Sequence, residues 1–235
     1  MSERSGSQTL DRGLRVLKML AQSHSGMTTS ELGRELGLNR VIVNRLLVTL
    51  MAHRLIVRDD NLHYSVGPGI HSLVSANTSS CLAVIGPFLT ELAEECQATA
   101  HLAQADGDVV VVLETYEPKH AKVHIAYKAG TLHPINRGSS GVAILACRDV
   151  LPDESASEAV SNARVLGYAM SEGEILARNM IGVSVGLGLE APLPELSIGV
   201  TIFDPEGVPI VAKAVMRTAL EVAAEVENII PRTVV

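Results

Sequence analysis

Five residues within a seven-residue window, Asn39, Arg40, Val41, Asn44 and Arg45, carry the side chains from which contact with a nucleic acid is built. The amide of an asparagine and the fork of an arginine each make two hydrogen bonds to the edge of an adenine or a guanine in the major groove. A valine can meet the methyl group of thymine, and a further arginine such as Arg45 suits a phosphate. The same residue types also decorate ordinary solvated helix faces, so their meaning depends on the elements that hold them.

Those elements are legible from spacing. Residues 10–21 place Leu10, Leu14, Leu17 and Leu20 at helical intervals with Thr9 available as a cap, which predicts a supporting helix. Residues 28–36 predict a second, short helix: Thr28 caps it, and Glu31 three positions later completes a capping box. Residues 39–53 predict a third, with Val43, Leu46, Leu47 and Leu50 on one face and Asn39 as its cap. Between the last two, Gly33 stands where crossing helices approach closely, and Gly37 where the turn needs positive φ. Leu32, Leu36 and Leu38 fill the remaining core positions, leaving Asn39, Arg40, Val41, Asn44 and Arg45 outside. Two short strands, residues 55–57 and 62–66, flank the turn at Asp59, Asp60 and Asn61 and predict a wing. Together these features predict a winged helix-turn-helix, with Thr28, Thr29, Asn61 and His63 as further candidates for phosphate contact.

Bulk properties restrict the alternatives. The net charge of −7 is unevenly spread: residues 1–66 hold nine Lys/Arg against six Asp/Glu, and the remainder ten against twenty, giving +3 and −10. A basic head on an acidic body fits a DNA-binding unit joined to something else. No apolar run is long enough to cross a bilayer and the first ten residues are too polar for a secretory signal, so a cytoplasmic location is expected. Cys81, Cys96 and Cys147 have neither an even count nor CxxC spacing, which points to reduced thiols. His120 and His124 fall in a segment read as strand and hairpin, where a four-residue spacing does not pair them, so no metal site is expected. There is no Gly-x-Ser-x-Gly elbow, no HExxH and no phosphate-binding glycine loop, so neither an enzyme nor a cofactor is expected.

The rest of the chain predicts an α+β second domain. Gly67, Pro68 and Gly69 punctuate the chain before a short helix over residues 70–76 and a polar stretch over 77–80. The boundaries drawn are 1–66 for the winged domain, 67–80 for a linker helix and 81–235 for the remainder. A helix over 81–97 leads to strands over 99–104 and 109–117 around the sequence ADGD, then a strand over 123–127. The run GSSGVAILAC opens a helix from a small-residue turn. A helix over 154–166, a strand from Tyr168, a hairpin of strands over 181–190 and 196–203, and a long amphipathic helix over 208–230 complete the chain.

The stretches LDRGLRVLKML, TTSELGRELGLNRVIVNRLLVTLMAHRLIVRDDNLHYSVGPGI and PINRGSSGVAILA resemble the IclR family of bacterial transcription regulators along nearly the whole chain. The resemblance implies a C-terminal α/β effector-binding domain of GAF-like or profilin-like design, an antiparallel sheet with helices, assembled as dimers or dimers of dimers. It places the effector loop on Ser139 and Ser140, at the start of a helix where N–H groups favour an anion. It places the cavity wall on Ile125 and His133, on Ser171 and Ile181, and on Thr201 and Phe203. The chain departs from the family's pattern at Val142, where a lysine is usual, and at Phe203, where a small hydroxyl residue is usual.

The reading that follows is a sequence-specific regulator whose partners are double-stranded operator DNA, a small organic and anionic effector, and a second copy of itself. The alternative is a ligand-independent DNA-binding protein whose C-terminal domain only oligomerises.

Overall fold

A computed structural model describes residues 6–23, 25–74, 79–120, 128–150, 157–173, 175, 179–191 and 193–229. The expected strand over 123–127, and with it Ile125, lies outside the described residues. The chain divides into two compact units, Met1–Ser79 and Ser80–Val235.

In the first unit, α1 (Gln8–Gln22), α2 (Thr29–Leu36) and α3 (Arg40–Ala52) precede β1 (Ile56–Arg58), β2 (Tyr64–Val66) and the short α4 (Gly69–Val74). Val16 and Leu20 of α1, Leu32 of α2, and Val43, Leu46, Leu47 and Leu50 of α3 meet Ile56 and Tyr64 in one core. Local chemistry sets each helix boundary. Thr28 accepts from the Glu31 N–H at 3.3 Å while its own N–H donates to the Glu31 carboxylate at 2.7 Å, so the expected capping box is formed. Ser7, rather than Thr9, caps α1. Gly37 ends α2 at φ +64°, and a Cβ on Gly33 would lie 3.0 Å from the Leu38 carbonyl oxygen. The wing is an antiparallel pair extended by Met27, whose N–H donates to the Tyr64 carbonyl at 2.9 Å.

The second unit is a six-stranded antiparallel sheet in the order β5-β4-β3-β8-β7-β6, with helices on both faces. Its elements are α5 (Ser79–Cys96), β3 (Thr99–Asp106), β4 (Val109–Tyr116), β5 (Leu132–Pro134), α6 (Gly138–Cys147), α7 (Ser157–Leu166), β6 (Ala169–Glu172), β7 (Ile181–Gly186), β8 (Leu196–Ile202) and α8 (Val208–Ile229). Strand alternation sorts the residues between the two faces. Ala100, Leu102, Ile181, Val183, Ile198 and Val200 face α5 and α8 in the larger core. The opposite face presents Thr99, His101, Gly182, Ser184, Gly186, Ser197, Gly199 and Thr201, and α6 lies on it, backed by α7.

That second face is small and polar because α6 comes within backbone contact of its neighbours. A Cβ on Gly186 would meet the Ala143 carbonyl oxygen at 2.5 Å, and one on Gly141 would overlap the Ile135 carbonyl. At the other end of α6, Arg148 forks onto Glu195 with two hydrogen bonds of 2.7 Å, and Arg164 donates to the Ala146 carbonyl at 3.1 Å and to that of Arg148.

Gly141 offers a test in which two effects oppose each other. Alanine is favoured over glycine inside a helix by about 1 kcal/mol, whereas overpacking costs about 1–3 kcal/mol or more. A backbone carbonyl cannot swing aside like a side-chain tip, so Gly141→Ala is expected to be net destabilising. Urea unfolding should show a lower midpoint; an unchanged or raised midpoint would mean that α6 has room to retreat.

Candidate DNA-reading face and small-molecule site

The first unit presents one helix face to solvent. On α3, Arg40, Val41, Asn44 and Arg45 are exposed, Val41 at 68%, while Val43, Leu46 and Leu47 point inward. Asn39 sits just before them, its Oδ1 accepting from the Ile42 N–H at 3.0 Å, so only its NH2 group remains for an outside acceptor. Val48, one turn beyond Asn44, extends the exposed face and was not among the expected residues. Its signal was present in the sequence, since it shares the helical spacing of Val41, Asn44 and Arg45.

The structure narrows the phosphate candidates. The Thr28 hydroxyl is occupied on both sides, accepting from Glu31 N–H and donating to the Glu31 carboxylate at 2.8 Å. These bonds hold the Glu31 carboxyl below the usual carboxylate range. Thr29 is half-buried beside it. In the wing Asn61 is exposed, but the His63 ring lies 3.9 Å from the Asp59 carboxylate, to which the His63 backbone N–H donates at 2.8 Å. With Asp60 adjacent, the tip of the wing is acidic and a poor partner for phosphate.

In the second unit the expected effector residues are only partly brought together. Ser139, Ser140, Ser171 and Thr201 line one cavity at the start of α6 together with His101, Gly182, Ile175 and Met180. His133 is buried nearby, its Cε1 3.6 Å from where a Cβ of Gly138 would sit, and its Nδ1–H donates to the Pro134 carbonyl at 3.0 Å. Ile181 is not part of this site. The alternation of β7 turns it to the opposite face, into the core beneath α5 and α8, so its expected role is corrected. Phe203, just past the end of β8, lines a separate and larger cavity.

The cavity at the start of α6 has a volume of about 30 Å³, room for no more than a couple of water molecules. Most of its polar groups are already paired with one another. The Ser139 N–H, expected to be available for an anion, donates to Ser171 Oγ at 2.9 Å. Ser139 Oγ and Ser184 Oγ are 2.8 Å apart, Ser184 Oγ is 3.4 Å from His101 Nε2, and that nitrogen is 3.0 Å from Ser140 Oγ. The His101 ring is fully enclosed, and burial, with the nearby His133 acting in the same direction, lowers its pKa to about 3. No lysine or arginine is among the described residues that line this cavity. His101 and Ser184 were not expected from the sequence, although the alternation in TAHL and IGVSVG places both on one face.

Among the described residues no cluster of His, Cys, Asp or Glu could hold a metal ion, and no helix is long and apolar enough to cross a membrane.

Comparison with known proteins gives two family matches in chain order. Residues 9–60 match the IclR helix-turn-helix domain and residues 75–167 the bacterial transcriptional regulator IclR C-terminal domain. An HTH-type transcriptional regulator of Mycobacterium tuberculosis is 28% identical over 156 residues, covering 66% of this chain and 59% of that protein. The transcriptional repressor IclR of Escherichia coli is 28% identical over 145 residues, covering 59% of this chain and 52% of the repressor. The matches thus span little more than half the length of these relatives. Among solved structures, an IclR transcriptional regulator from Alicyclobacillus acidocaldarius has a TM-score of 0.77 at 24% identity, covering 94% of this chain and 99% of that one. An IclR homologue from Microbacterium hydrocarbonoxydans, complexed with 4-hydroxybenzoate, has a TM-score of 0.79 at 16% identity, covering 94% and 100%.

The depressed His101 pKa gives a pH test. The ring is neutral in the folded state down to about pH 3, whereas in the unfolded chain it protonates below about pH 6.5. The stability it allows is therefore fully present above about pH 6.5 and lost as pH falls toward 3, by at most about 1.4 kcal/mol per pH unit. His101→Gln should flatten the dependence of the urea midpoint on pH between 6.5 and 4. An equally steep dependence in that variant would assign the effect to other groups.

Proposed function

The chain belongs to the IclR family of bacterial transcriptional regulators, and from that premise we propose that it binds operator DNA through α3 and that a small anionic effector at the start of α6 alters that binding. The observation that carries the first half is the solvent-facing set Asn39, Arg40, Val41, Asn44 and Arg45 on the second helix of a helix-turn-helix. Arg40 and Asn44 read base edges, Val41 supplies an apolar contact, and Arg45 holds the backbone. Thr29 and Asn61 contribute weaker phosphate contacts; the Thr28 hydroxyl is occupied by Glu31, and the His63 ring stands beside the Asp59 carboxylate.

One winged domain covers a half-site, so the working form is a dimer or a dimer of dimers. Leu73 on α4, 67% exposed, and Leu10 and Leu14 on α1 are apolar groups left for such a contact.

The effector half of the proposal rests on donors and shape. A carboxylate oxygen replacing Ser171 Oγ on the Ser139 N–H exchanges a neutral hydrogen bond for a charge-assisted one at a helix start. The complex of a similarly folded neighbour with 4-hydroxybenzoate supports a small organic acid as the class. The small cavity and its internally paired hydroxyls favour the second reading, in which this domain only oligomerises.

Two sets of variants separate these claims. Arg40→Ala and Asn44→Ala should each lose about 1–3 kcal/mol of discrimination between operator and random DNA, while Arg45→Ala weakens both and lowers the salt slope by about one. The operator comes from selection on random DNA, and specificity ratios that stay unchanged in both Arg40→Ala and Asn44→Ala would reject the reading face. For the effector, Ser171→Ala removes the internal competitor and should tighten binding of a small carboxylate such as 4-hydroxybenzoate. Gly182→Ala, whose Cβ would sit 2.5 Å from Ser139 Oγ, should abolish it. Calorimetry showing the same affinity in wild type and both variants would place the effector elsewhere.

A further inference from the structure

The outward face of α3 is apolar along its middle. Val41 and Val48 are 68% and 62% exposed, whereas Leu46 and Leu50 on the opposite side are 6% and 8%. Seven residues make almost two whole turns, so the two valines lie within about 20° of each other around the helix axis and about 10.5 Å apart along it. Asn44 falls about 60° to one side of Val41 and Arg45 about 40° to the other, with Arg40 beyond Asn44, all three exposed. Thr49, beyond Arg45, turns its hydroxyl back onto the Arg45 carbonyl at 3.1 Å.

One exposed valine on a helix is ordinary. Two on the midline of a face whose flanks are amide and guanidinium groups are not, because a face that met only water would carry polar side chains there. Cationic flanks fit an anionic partner, and the apolar midline must then meet an apolar group that the anion carries. In the major groove of DNA that group is the C5-methyl of thymine; the other base-edge groups that face it are hydrogen-bond donors or acceptors. A valine has neither, so over another base it strips water from the edge and puts nothing back. Its β-branch also leaves little χ1 freedom in a helix, so fixing it against a partner costs little order.

We propose that Val41 and Val48 together read two thymine methyl groups in each operator half-site, and that the spacing of the valines fixes the spacing of those thymines. Base pairs stack about 3.4 Å apart along the duplex axis, and the path that follows the groove is longer, so a separation of about 10.5 Å spans about two to three base-pair steps. Val48 thereby joins Arg40 and Asn44 as a residue that sets specificity, and the half-site must carry two A·T pairs at that separation. The inference rests on α3 being the reading helix and adds which feature of the bases its midline selects.

The test uses the full chain and the duplex selected from random DNA, with each thymine of a half-site replaced in turn by deoxyuridine. That replacement deletes the methyl group and keeps every hydrogen-bonding group of the base. Wild type is expected to lose about fourfold in affinity, the worth of one buried methyl, at two positions about two to three base pairs apart. Val41→Ala should no longer respond to uracil at one of them, and Val48→Ala at the other. Both valines are exposed and alanine is a good helix former, so the fold is kept. A half-site without two thymines so spaced, no loss on uracil substitution in wild type, or an undiminished uracil effect in the variants overturns the proposal. Sedimentation without DNA covers the rival occupant: variants that lose self-association and keep the uracil response assign the valines to a subunit contact and overturn it too. Unchanged specificity in Arg40→Ala and Asn44→Ala brings down the reading face and this inference together, whereas lowered specificity there with silent uracil brings down the methyl reading alone.

Discussion

The closeness of α6 to the sheet is the constraint on which the second unit depends. Backbone meets backbone where Gly186 and Gly141 face carbonyl oxygens, and no side chain larger than hydrogen fits there. Such an approach removes water from the polar groups in the seam, which favours pairing inside the protein, although Ser197 Oγ on the same face has no partner among the described residues. Ser139, Ser184, His101 and Ser140 form that internal chain, with Ser171 reaching across from β6 to cap the helix. A histidine in this position serves as a neutral ring, because burial disfavours its charged form and the nearby His133 acts in the same direction. The tight seam also explains why the cavity at the start of α6 is so small.

In the first unit the forces are local, and the sequence was correspondingly readable. The capping box at Thr28 and Glu31, the αL glycine at Gly37 and the inward face of α3 each depend on residues three to five positions apart. Helix boundaries and the outward set Arg40, Val41, Asn44 and Arg45 follow from such short-range rules. The acidic wing was equally present in the residues Asp59 and Asp60, but its meaning for His63 appeared only once Asp59 was seen to accept its N–H.

The second unit was legible by element and poorly legible by site, for a physical reason. Alternation in IGVSVG and LSIGVTI separates Ile181, Val183, Ile198 and Val200 from Gly182, Ser184, Gly199 and Thr201 without any structure. That pattern contradicts Ile181 as a cavity residue, a position supplied by resemblance alone, and the structure follows the alternation. What the pattern could not provide was contact across long sequence separation. Ser171 caps Ser139 from 32 residues away, and His101 meets Ser140 from 39. The three-residue strand β5, containing Pro134, was too short and too weak in pattern to be seen.

The two cavities differ in what a ligand must do to enter. At the start of α6 there is space for water and little else, and the Ser139 N–H is held by Ser171, so a carboxylate cannot bind without displacing that hydroxyl and moving the wall at Ile175 or Met180. Binding and rearrangement are then one event, and a ligand's preference for the rearranged state is the differential affinity that any effect on DNA requires. The larger cavity lined by Phe203 can be entered without any such displacement.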